Sequence, residues 1–126
     1  MGDLHPCYTG WFTCFNAGDY YEAHDVLEHL WLKTDGPDHA FYKGLIQLAG
    51  AFVHFKKQRL RPEHPKDGAR LAPAGRLLAL ARQNIAPYGP VHLRLDVEGV
   101  CRLCDSFLVA VAVMLQLNPG LLQRHA

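Results

Sequence analysis

The stretch from Tyr20 to Trp31, Y-Y-E-A-H-D-V-L-E-H-L-W, sets two histidines and three carboxylates in a helix-forming run that ends on a tryptophan. At 3.6 residues per turn, His24, Glu28 and Trp31 stand at i, i+4 and i+7 and share one face. That face borders an apolar stripe of Tyr20, Ala23, Leu27, Leu30 and Trp31. An imidazole and a carboxylate at the edge of a core are costly unless partnered, so the chain must supply partners nearby. Farther along, Gly44, Gln47, Ala51, His54 and Gln58 recur at spacings of three and four. If the two runs are neighbours, His24, Glu28 and His54, with Gln47 in or just behind the ligand set, can hold a divalent metal ion such as Zn, Mn, Ni or Fe. Helix bundles build metal sites from inward-facing His and Glu at these spacings. Three protein ligands leave one position to water, which a metal activates near neutral pH, and the outcome would be hydrolase chemistry. Asp25 or Glu22 would then orient a ligand or move a proton.

The same residues admit a structural reading. Glu28 accepts a hydrogen bond from His24, Gln47 or His54, Trp31 fills core volume with its indole N–H satisfied nearby, and the cluster fixes how two helices register without any metal. Under that reading the chain is a non-enzymatic helical interaction module or homodimer. The spacing of five between His24 and His29 is not that of the zinc-protease motifs. His29 and Glu22 fall on the opposite side of the helix and read as solvated. No phosphate loop, dinucleotide fingerprint or nucleophile elbow occurs.

The elements that must position these groups are helical. Tyr8, Trp11, Phe12 and Phe15 give a first helix from Pro6 to about Ala17. Gly18 can take the left-handed terminal conformation and Asp19 can cap a second helix that runs to about Lys33. Thr34-Asp35-Gly36-Pro37-Asp38 is a short turn, with Asp38 as the next cap, so helices two and three form an antiparallel hairpin. The third helix, His39 to Arg59, is apolar over half its circumference, as expected of a central helix, and its Gly44 and Ala51 let a neighbour come close, with the second helix the expected partner. Leu60 to Lys66 is a loop. Gly68 to Asn84 is a fourth helix that Pro73 and Gly75 should delay or kink. Ile85 to Leu95 is a connector, and Asp96 caps a last helix to about Leu117, ended by Asn118-Pro119-Gly120. Apolar all round from Phe107 to Leu115, that helix is expected either in the centre or at a subunit interface, making a homo-oligomer. The fold class is all-α: residues 1–126 as a single-domain bundle of about five helices.

Composition agrees with this and narrows the partners. With 126 residues, 49% hydrophobic, 20% charged and a formal net charge of +1, no broad electrostatic attraction to nucleic acid or an anionic membrane is expected. Lys56, Lys57, Arg59 and Arg61 sit where cations complement a helix C-terminus, unaccompanied by exposed aromatics or glycine-rich loops, which argues against nucleic-acid binding. The start of the chain lacks a basic segment followed by an apolar one, and Phe107 to Leu115 is about half the roughly 20 residues of a membrane span. A cytoplasmic protein without membrane association is expected. The four cysteines then read as reduced, small core residues, with Cys101-x-x-Cys104 as half a zinc site or a redox pair the lesser alternative.

Phe15-Asn16-x-Gly18-x-Tyr20-x-Glu22-x-His24-Asp25-x-Leu27-Glu28-x-x-Trp31, followed by Phe41-Tyr42-x-Gly44-Leu45-Ile46-Gln47-x-Ala49 and His54, resembles domain of unknown function family 309, small prokaryotic helical proteins marked by HxxxExx and then Trp or Tyr. The likeness is good over residues 11 to 58 and looser through Gly68-Ala69-Arg70, Pro87-Tyr88 and Asp96-Val97. It implies an all-α fold and a metal-binding role for the motif, with no substrate or reaction attached. Pro73 and Gly75 depart from the family's more regular fourth helix.

Overall fold

The computed structural model describes residues 3–117. Five helices carry the fold: α1 (Pro6–Asn16), α2 (Tyr20–Trp31), α3 (His39–Leu60), α4 (Leu71–Ile85) and α5 (Val97–Leu117). The expected termination of the last helix at Asn118-Pro119-Gly120 lies outside the described residues. α2 and α3 run antiparallel, since Tyr20 at the start of α2 meets Phe52 late in α3, at 5.3 Å between ring centroids, and Trp31 at the end of α2 stacks on His39 at 4.9 Å. Gly18, at φ +81, makes the turn between α1 and α2.

α3 is the centre, with Phe41, Leu45, Ala49 and Ala51 wholly buried. α1 and α2 cover one side of it and α4 the other, and α5 packs on α4. Trp11 of α1 is anchored to this centre, its Nε1–H donating to the Leu45 carbonyl at 3.1 Å. The small-residue stripe of α3 meets α4 rather than α2. A Cβ on Gly44 would lie 2.5 Å from Ile85 Cγ1 and 3.1 Å from the Ala81 carbonyl oxygen, and one on Gly50 would lie 3.2 Å from Leu77. Gly44 therefore sets the close approach of α3 to α4.

Helix boundaries follow local chemistry. Asp96 caps α5 as expected, accepting from the Gly99 N–H at 2.9 Å. Asp19 and Asp38 precede α2 and α3 but make no side-chain cap bond, and Asp38 Oδ1 accepts instead from His92 Nε2 at 2.7 Å. Pro73 falls in the first turn of α4, where its missing N–H has no helical partner to lose, so the helix begins before it. Within the connector lies a small hairpin, β1 (Val91–His92) paired antiparallel with β2 (Leu95–Asp96). Leu93 and Arg94 turn it at φ 45 and 65, and the Leu93 carbonyl accepts from the buried Tyr8 hydroxyl at 3.0 Å.

α5 is not in the centre. Val97, Cys101, Cys104 and Val111 are buried, whereas Val109, Val113, Met114 and Leu117 are exposed. Burial pushes the Cys104 thiol up to about 11 and raises that of Cys101, the reverse of what a reactive or metal-ready pair needs. All four cysteines are free.

Candidate functional site

Gln58 opens the polar side of α3. Its Nε2 donates to the Gly68 carbonyl at 2.8 Å and its Oε1 accepts from the Arg70 N–H at 2.8 Å, which pins the 3-10 turn Asp67–Ala69 against the end of α3. The same turn carries Asp67, 8% exposed, which accepts from Arg70 Nη2 at 2.7 Å and Arg61 Nη1 at 3.2 Å. The Arg70 guanidinium first, and Arg61 after it, hold the Asp67 carboxyl below the ordinary carboxylate range against the opposing pull of desolvation. A carboxylate so lowered contributes stability that is present above its unfolded pKa and is lost as pH falls through the folded value. Acid titration of the unfolding temperature should therefore show a steeper fall for the wild type than for Asp67→Asn, which starts lower at neutral pH; parallel curves would contradict it.

Arg70 also reaches the candidate site. Its Nη1 lies 3.4 Å from His54 Nδ1, and a guanidinium only donates, so Nδ1 is the acceptor and the neutral ring carries its proton on Nε2. His54 lines a groove of about 220 Å³ with Gly50 and Val53 of α3, Tyr21 and His24 of α2, and Leu77 of α4. α2 and α4 thus form its walls and α3 its floor. Gln47, one to two turns from His54, turns to the α4 side, where its Oε1 accepts from Asn84 Nδ2 at 2.8 Å.

On α2, His24, Asp25 and Glu28 each offer a ligand atom, all within 4.8 Å of one another, and of the three His24 lines the groove. His24 Nδ1 and Asp25 Oδ1 are 3.2 Å apart, the spacing at which the imidazole N–H donates to the carboxylate and leaves Nε2 with a lone pair. The donor set, one imidazole and two carboxylates, is one that borderline divalent ions accept. Of the residues expected from sequence, His24 and Glu28 therefore come together with Asp25, and His54 stands on the same groove, held from behind by Arg70. Gln47 is engaged by α4. Glu22 is exposed and lines an adjoining hollow with Tyr20, Lys56 and Lys57. Trp31 stacks on His39 and its Nε1 has no partner among the described residues, so the expected satisfaction of its indole N–H is not what the structure has. Arg70 and Asp67, which fix His54, were not foreseen: Gly68-Ala69-Arg70 reads as a helix start, and nothing in that tripeptide says which helix it faces.

Two of the four cations at the end of α3 are committed. Lys56 Nζ donates to the Gly18 carbonyl at 3.0 Å and stands 5.9 Å over the Tyr20 ring, and Arg61 is tied to Asp67. No curated protein and no solved structure matches the chain. Residues 10–63, from within α1 through the whole of α2 and α3 and so including the His24–Glu28 face, match the model of the family described as Domain of unknown function (DUF309).

Proposed function

We propose that α2 binds a divalent metal ion beside the groove, through His24 Nε2 and the Glu28 carboxylate, with Asp25 holding the imidazole in the ligating tautomer. The observation that carries this reading is the partnering of the surrounding polar groups. Gln47 is taken by Asn84 and His54 by Arg70, while His24, Asp25 and Glu28 lie within 4.8 Å of one another. In the structural reading His24 remains a partner for Glu28, and Gln47 is given instead to Asn84.

Two ligands from the protein leave several coordination positions open toward the groove. A divalent ion held there would supply Lewis acidity and an activated water, the chemistry of a hydrolase acting on a small molecule. His54, its Nδ1 engaged by Arg70, lines the groove beside His24. The groove's volume suits a small substrate portion rather than a macromolecule. A reducing, cytoplasmic setting suits the four free cysteines.

The test is calorimetric titration of tag-free, metal-stripped protein with Zn²⁺ and with Mn²⁺. One ion per chain should bind, and at about a hundredfold excess over Kd it should add about 2.7 kcal/mol to stability. Absence of both heat and any rise in the unfolding temperature would return the motif to a structural role.

A further inference from the structure

The groove does not end at His24. Tyr21 and Val53 line both it and the hollow next to it, so the two form one trough along the seam of α2 and α3. The part at His24 holds about 220 Å³ and the part beyond Tyr21 about 280 Å³. Each alone falls short of the roughly 300–1,000 Å³ of a small-molecule site, and joined they lie within it. Where they meet the trough is apolar and aromatic. Val53 is half-buried, and the Tyr21 ring, 63% exposed, lies 24° from parallel to that of His24 with centroids 6.3 Å apart. An open aromatic face beside an aliphatic side chain offers a flat ligand a surface to stack on.

The part beyond Tyr21 is cationic. Lys56 Nζ spends one of its three donors on the Gly18 carbonyl, Lys57 is exposed, and Glu22 is the one carboxylate in the lining. Glu22 and Lys57 make no ion pair with each other or with any other described residue. Two cations against one carboxylate leave this hollow positive, in a chain whose net charge is only +1.

We propose that the trough binds a small organic acid, its carboxylate or phosphate held at Lys56 and Lys57 and its apolar or aromatic body laid over Tyr21 and Val53. As a statement of what the bound ion acts on, this rests on the reading of His24 and Glu28 given above. Four residues separate Tyr20 from His24 on α2, and four separate Val53 from Lys57 on α3, about 6 Å in each case at 1.5 Å per residue. The reacting group of the substrate therefore stands about one helical turn from its anionic group, and a six-membered ring with its two substituent bonds reaches both. Glu22 does not turn the choice toward an amine: it is exposed and outnumbered, and from the first turn of α2 its charge already complements the helix dipole.

The test follows amide chemical shifts of the tag-free full chain, metal-stripped so that the probe cannot bind an ion instead, during titration with phenyl phosphate and with phenylacetate. Movement should centre on Tyr21, Val53, Lys57 and Leu60, saturate at one ligand per chain and weaken as salt rises. Lys57→Gln should bind about fivefold more weakly, the worth of one exposed ion pair, and Glu22→Gln more tightly, with the fold intact because both side chains are exposed. The tighter-binding acid identifies the anionic group. Benzylamine that binds more tightly than either acid and is weakened by Glu22→Gln overturns the proposal, and so does equal affinity of Lys57→Gln and the wild type for both acids. Zinc titration separates this inference from the one it rests on. Protein that binds phenylacetate in the trough but takes up no Zn²⁺ keeps the acid site and loses the reaction, whereas Zn²⁺ uptake with no movement of these amides by either acid removes the acid site alone.

Discussion

His24→Ala should weaken divalent-ion binding by about a hundredfold or more while leaving the fold intact. The size follows from removing one of two protein ligands, since losing even an outer-shell partner costs about 10–100-fold. The fold should survive because the residues that α2 buries are Ala23 and Leu27, on the neighbouring face, whereas the His24 side chain is 32% exposed. Alanine is also the best helix former, so α2 gains rather than loses propensity. Calorimetric titration beside a melting curve separates the two effects. Glu28→Gln, which keeps the shape and removes the charge, should show a comparable loss. Asp25→Asn should fall in the 10–100-fold range, because it removes the anion that orients the ring and leaves the ligands in place. Wild-type affinity in His24→Ala would take His24 out of the ligand set, even if an ion binds elsewhere on the chain.

The His24–Glu28 face was legible because it depends on one helix alone: spacing of four puts two side chains together whatever lies around them. Gly18 and the Gly36-Pro37 turn marked the ends of α1 and α2 for the same local reason, and the half-circumference apolar pattern of α3 marked the central helix. Partnership between helices was less legible. The stripe of Gly44, Gln47, His54 and Gln58 says that something comes close and that polar groups must be met, but α3 has neighbours on two sides. The Cβ clash at Ile85, the Gln47–Asn84 bond and the Arg70–His54 contact give that stripe to α4 and the turn before it. Of the residues foreseen as ligands across α2 and α3, His24 and Glu28 thus lie together on α2 beside Asp25, and His54 lies on α3. Nor did the Val91–Asp96 hairpin leave a signal. Its strands are two residues long, too short for alternation to register, and Leu93-Arg94 is not the Asn-Gly or Asp-Gly that a turn with two positive φ values ordinarily uses. Contacts made far away in sequence hold it: Tyr8 to the Leu93 carbonyl and Asp38 to His92. Asp38 looked like a cap because caps are local, and the competing bond to His92 spans 54 positions.

That set of distant contacts meets at Phe41, and Phe41→Ala should lower the free energy of unfolding by about 3–5 kcal/mol. The ring is fully buried, with centroids 6.1 Å from Tyr8 of α1, 5.2 Å from Tyr88 of the connector and 4.7 Å from His92 of the hairpin. Truncation removes the apolar contact and leaves a void among groups held by other bonds, Tyr8 by Leu93 and His92 by Asp38, so inward collapse is restricted. Against a total stability of about 5–15 kcal/mol for a domain of this kind, the loss is a large fraction. In urea the midpoint should fall with little change in slope, because the surface exposed on unfolding is nearly the same. A cost under about 1 kcal/mol would mean that the rings close over the void and that the hairpin is not anchored there. Ion affinity gives an independent check. Phe41 and Gly50 are nine positions apart and, at about 100° per residue, lie on opposite sides of α3. The folded fraction of Phe41→Ala should therefore bind the ion as the wild type does, with stability and site separated by the width of one helix.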